Sequence, residues 1–137
     1  MSLELPVMPS APQGPRALLD SLFAAFNRHD TEGVLACMCD EVVFDGAAGP
    51  EVYGTRYRGR DAVGQAFAKL FLDLPDVRWD DVQHIPAGDF AVSTWIMRAT
   101  RPDGSRIEAE GIDLFTLRDG RISVKRAFRK DRPPLAP

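Results

Sequence analysis

The stretch IEAEGIDLFTLRDGRISVKRAF, residues 107–128, decides how the rest of the chain is read. Asp119-Gly120 lies between two strand-like runs, a strong short-range signal for a β-hairpin. Within the first run Asp113 stands between Ile112 and Leu114. An acid in a buried strand is costly unless it is paired, protonated or facing a wet cavity. Strand side chains alternate between faces. Ile107, Ala109, Gly111, Asp113 and Phe115 therefore share one face, and Glu108, Glu110, Ile112, Leu114 and Thr116 the other. Ala109 and Gly111 are small and leave volume beside the acid. This is how a concave face could build a pocket around one polar group.

Upstream of this hairpin the pattern is also strand-like. Phe90–Thr100 is rich in Val, Thr, Ile and Trp. Both of its faces are apolar, which indicates burial on both sides. Arg101-Pro102-Asp103-Gly104 joins it to a strand over Ser105–Leu117, and Pro86-Ala87-Gly88-Asp89 joins it to one over Val77–Ile85. A last strand is expected over Arg121–Arg129.

The N-terminal half reads as helices. Leu18, Leu19, Leu22, Phe23 and Phe26 recur at helical spacing over Pro15–His29, with Pro15 suited to the first turn. Asp30 is placed to cap a short helix over Thr31–Met38. A short strand, Val42–Asp45, follows. Residues 46–57, with three glycines and Pro50, read as a loop in which Tyr53 and Tyr57 could lid a pocket mouth. A third helix spans Arg60–Leu72, with Val63, Phe67, Leu70 and Phe71 on one stripe. Helices first and an antiparallel meander later argue for an α+β fold: one curved sheet with three N-terminal helices on its concave face.

With 137 residues, 45% hydrophobic and 27% charged, the chain is of ordinary globular composition. A net charge of −3 without a basic block gives no footprint for nucleic acid. The apolar runs are too short to span a bilayer. Residues 1–15, with four prolines, read as a flexible arm lacking the features of a signal peptide, 16–130 as the domain, and 131–137 as a flexible tail. Cys37 and Cys39 suit neither a disulfide nor a shared metal and read as thiols of a reducing cytoplasm. The two histidines and the cysteines offer no metal-ligand spacing, and there is no phosphate-binding glycine loop. No metal or other cofactor is expected.

The segments LFAAFNRHDTEGVLACMCDEVVFDG (22–46), YRGRDAVGQAFAKLF (57–71) and EAEGIDLFTLRDGRISVKRAF (108–128) together resemble the SnoaL-like branch of the nuclear transport factor 2-like (NTF2-like) superfamily. The resemblance covers about residues 16–130. It implies a cone-shaped α+β barrel with a deep pocket, and frequent homodimers. It also implies one of several uses, among them polyketide cyclase, ketosteroid isomerase, dehydratase, epoxide hydrolase and non-enzymatic binding or adaptor domain. Asp113 matches the strand acid that acts as acid/base or oxyanion donor in cyclases and isomerases of this kind. Leu22 stands where the isomerases carry a tyrosine donor. Gly46 stands where they carry the base, with Asp45 one residue earlier. For the acid–arginine–acid set of the epoxide hydrolases, Arg98 is available but Thr100 and Ala127 occupy the places of the acids.

Three readings follow. In the first the chain is a cofactor-independent cyclase or isomerase that transfers a proton on a carbonyl-bearing polyketide- or steroid-like compound. Asp113 is then its acid/base and Asp45 or His84 a partner. In the second it binds an apolar ligand without reaction; in the third it is a dimerising adaptor. Trp95, Tyr53, Tyr57, Phe26, Phe67, Gly111 and Phe128 are the expected ligand-binding residues, and Trp79 is core or interface. The apolar outer sheet face is the expected surface for a homodimer.

Overall fold

A computed structural model describes residues 14–137. The expected N-terminal arm thus lies, up to residue 13, outside the described residues. Helices α1 (Pro15–Asn27) and α2 (Thr31–Ala36) come first, then strands β1 (Met38–Glu51) and β2 (Gly54–Arg58). Helix α3 (Gly59–Asp73) leads into β3 (Arg78–Ala87), β4 (Phe90–Thr100), β5 (Arg106–Arg118) and β6 (Arg121–Arg129). The strands form one curved sheet in the order β2-β1-β6-β5-β4-β3. It is α+β, as expected, but open rather than closed into a barrel. One of its pairings, β1 with β6, is parallel.

Local chemistry sets most boundaries. Pro15 sits in the first turn of α1. The Asp30 carboxylate accepts the Gly33 amide at 3.0 Å and caps α2. The β5–β6 hairpin turns on Asp119 (φ 52°) and Gly120 (φ 75°), the left-handed pair that a two-residue turn requires.

The stretch expected to be a loop, residues 46–57, is instead a hairpin between a long β1 and β2. Gly49 and Gly54 allow the crossing: a Cβ on Gly49 would lie 2.4 Å from the Gly54 carbonyl carbon. Part of the tail lies against the sheet. Leu135 exchanges two backbone hydrogen bonds with Arg106, of 2.9 and 2.8 Å.

The inner face of the sheet is covered by the helices. Leu18, Leu19, Leu22, Phe23 and Phe26 of α1 and Val63 and Phe67 of α3 meet Trp79, Met97, Phe115 and Ile122 from the strands. Edge-to-face and tilted ring contacts, such as Phe26 with Phe67 at 5.0 Å, knit this core. No helix among the described residues is long and apolar enough to cross a membrane.

Candidate small-molecule pocket

Asp113 is on the inner face, as its parity predicts, and is 1% exposed. Both of its oxygens are held by diagonal neighbours across the sheet. Trp95 Nε1 donates to Oδ2 at 3.0 Å from β4, and Lys125 Nζ donates to Oδ1 at 2.9 Å from β6. Lys125 is itself buried, its side chain 6% exposed. Its ammonium lies 4.6 Å from the centre of the Phe44 ring and 5.4 and 5.6 Å from those of Phe26 and Phe67. Three ring faces around a cation replace part of its lost hydration. The carboxylate supplies the rest.

Above this pair lies a cavity of about 240 Å³ between α3 and the sheet. Phe44, Tyr57, Ala66, Phe67, Trp79, Trp95, Met97 and Ala127 give it apolar walls, and among the described residues Lys125 and Arg129 are its only charged lining groups. Asp113 does not reach the wall. It lies beneath Lys125 and Trp95, so the polar group offered to a ligand is a cation. Lys125 is a cavity residue that the sequence does not single out.

The expected volume over Gly111 is occupied. A Cβ there would fall 2.3 Å from the Trp95 ring. The glycine lets the indole lie across β5 and reach Asp113 two residues on.

The remaining expected residues divide between the two faces. Trp95, Tyr57 and Phe67 line the cavity, and Phe26 lies fully buried behind it. Phe128 points to the outer face, where it is 43% exposed beneath Arg126. Tyr53 is in the β1–β2 turn, stacked under Arg56 at 3.8 Å, and does not line the cavity. Asp45 also faces outward, opposite Arg56 and Arg126. Arg56 grips its carboxylate with two bonds of 2.7 and 2.9 Å. That grip, aided by Arg126 and Arg58, holds the Asp45 carboxyl below the usual carboxylate range.

His84 is on the inner face, two strands from Asp113, but under α1 rather than in the cavity. Its Nε2 meets the Asp20 carboxylate at 3.1 Å and its Nδ1 the Ser93 hydroxyl at 2.8 Å. Burial pushes the imidazole below its ordinary value, against the pull of Asp20. Neutral and donating from Nε2, the ring accepts the Ser93 O–H at Nδ1. Ser93 is wholly buried, so this carboxylate–imidazole–hydroxyl chain presents no nucleophile to a ligand.

Arg98 is flanked by two acids after all, Asp80 at 2.7 Å and Glu108 at 3.0 Å. The set is on the outer face, away from the cavity, since Arg98 pairs with Glu108 at an outward position. Among the described residues no group of three His, Cys, Asp or Glu side chains could hold a metal ion.

Known proteins share this architecture. A candidate polyketide cyclase from Xanthomonas campestris pv. campestris is 22% identical with a TM-score of 0.75, over 87% of this chain and 92% of that one. An NTF2-like protein of unknown function from Mesorhizobium loti is 26% identical with a TM-score of 0.67, over 85% and 90%. TerC, solved with polyporic acid, is 21% identical with a TM-score of 0.72, over 84% and 90%. No curated protein matches in sequence. The model of the SnoaL-like domain matches residues 19–124, which is most of the chain and spans every element from α1 to the start of β6. The chain belongs to the SnoaL-like domain family, with an NTF2-like, cystatin-like fold.

Proposed function

We propose that this chain binds an apolar, carbonyl-bearing small molecule of polyketide- or steroid-like shape in the inner cavity. We propose further that it acts on it by cofactor-independent proton transfer, as an isomerase or cyclase does. The observation that carries this reading is the Lys125 ammonium. It is 2.9 Å from a fully buried carboxylate and opens into an aromatic-walled cavity. A donor fixed in a low-dielectric site stabilises charge developing on a carbonyl oxygen far better than water does. In this step the Lys125 ammonium leaves Asp113 Oδ1 for that oxygen and so uncovers the carboxylate beneath it, which then accepts a proton from the adjacent carbon. In this reading Lys125 is the oxyanion donor and Asp113 the base; Asp45 and His84 stay outside the cavity.

The non-catalytic reading is favoured by one feature: both Asp113 oxygens are occupied. The two readings separate on a probe ketone. Exchange of the α-protons of 1-tetralone in D2O, followed by NMR, should be faster with wild-type protein than with Asp113→Asn. Saturable binding without faster exchange selects the non-catalytic reading.

The homodimer is part of the proposal. An open groove of about 490 Å³ crosses the outer face, with Thr94, Ile96, Ile112 and Phe128 among its lining. A second copy would cover that apolar surface.

A further inference from the structure

Arg129 differs from the other cation of the cavity. Lys125 is matched by Asp113, whereas Arg129 has no carboxylate within ion-pair distance among the described residues. Its Nη1 rests 3.1 Å from the Met97 sulfur, a weak acceptor. Desolvation and the nearby Arg101 push the guanidinium below its usual range, with Asp131 pulling the other way, while the residue as a whole stays exposed to solvent at the mouth. It stands on the inner face opposite Gly111, at the end of the cavity remote from α1. There the cavity meets a second hollow of about 430 Å³, with which it shares Ala47, Ala48 and Arg129. Arg101, Lys130 and Arg132 gather around that hollow. Of its two acids, Glu108 is held by Arg98, and Asp131 is exposed. Among the described residues no acid lines the inner cavity.

We infer that the ligand is a ring compound carrying a carboxylate, with its apolar body between Phe67 and Trp95 and its carboxylate on the Arg129 guanidinium at the mouth. This deepens the proposed function and rests on the cavity being the binding site. A guanidinium offers paired donors that match a carboxylate, and one at the cavity mouth without an ion-pair partner is free to take an anion. Lys125 then stays free for a second oxygen on the ring. The ligand is oriented by two cations of different kinds, one at each end.

The test uses displacement of the neutral fluorophore N-phenyl-1-naphthylamine from the full chain. Two competitors share one ring body, 2-naphthoate and the neutral 2-naphthamide. Wild-type protein should favour the carboxylate by about tenfold, the scale of one charge-assisted hydrogen bond. In Arg129→Gln the ratio should fall toward one, with naphthamide little changed. On wild-type protein alone, added salt should weaken the naphthoate and spare the amide. Equal affinities in the wild type, or a preference that survives Arg129→Gln, overturns the inference. Ala66→Trp, which fills the cavity from α3, provides the other arm. A fluorophore that does not bind, or that binds Ala66→Trp as well as wild type, sinks the cavity reading and this inference with it. A fluorophore lost on plugging, with no carboxylate preference, sinks only the inference.

Discussion

Replacing Lys125 by methionine should destabilise the protein strongly, and the loss should come mostly from what is left behind. Methionine keeps a similar length and an apolar body against Phe44 and Phe67, so the packing change is small. The Asp113 carboxylate, however, would keep only the Trp95 N–H as a partner. The two side chains are 6% and 1% exposed, so solvent screening takes little away. Breaking a buried pair by removing one partner costs about 3–5 kcal/mol. Asp113→Asn should cost about 2–4 kcal/mol, because it strands the ammonium among the rings. The double variant replaces both charges, leaves a Trp95-bonded amide, and should cost about 1–2 kcal/mol. The coupling energy from urea melts of the four proteins is then several kcal/mol, well beyond additivity. A Lys125→Met cost below about 1 kcal/mol, or a double variant equal to the sum of the singles, would refute the pairing on which the site rests.

Gly111→Ala should destabilise by about 3 kcal/mol, since the new methyl meets the Trp95 ring at 2.3 Å and the Phe128 carbonyl at 2.5 Å and displaces the indole from Asp113. Urea melts give the cost, and Trp95 fluorescence should report the movement. The His84 value in the fold lies below the ordinary 6.5, so the unfolded chain takes up the proton first as pH falls. The stability tied to neutral His84 is thus present above about pH 6.5 and lost below it; thermal melts should show this decline, and His84→Gln should flatten it. Asp45 is depressed from 3.8, so its contribution holds above that value and disappears as the solution is acidified below it. Asp45→Asn should cost about 1–2 kcal/mol at neutral pH in a denaturant melt, yet leave fluorophore affinity in the cavity unchanged.

Where local rules govern, the sequence was readable. β4 and β6 occupy the spans that alternation and turn residues imply, and Asp113 is on the concave face that parity assigns. The second hairpin was not readable. Gly46, Gly49, Pro50 and Gly54 carry loop chemistry, and only a partner strand makes them a crossing. The parallel pairing of β1 with β6 has no local signature either, because it joins segments some eighty residues apart. Gly111 was read as empty space because its occupant, Trp95, comes from another strand.

The charge of the pocket turns on one irregular residue. Ile122 faces inward, opposite Leu117. Strict alternation from there would put Val124, Arg126 and Phe128 inside and Lys125 outside. Phe128 is among the expected pocket residues, and that count would agree. A bulge at Ser123 adds one residue to β6, so Val124 meets Thr116 on the outer face and Lys125 turns in. A second bulge, around Asp81 (φ 54°) in β3, brings His84 in rather than Gln83. Bulges re-aim side chains and commonly lie beside functional sites. Here one of them converts a pocket that parity would furnish with a lone acid into one whose acid is covered by an ammonium. Lys125 and the bulge at Ser123 therefore belong together. Run in strict alternation from Ile122, this same sequence would turn Lys125 outward and leave Asp113 open to the cavity.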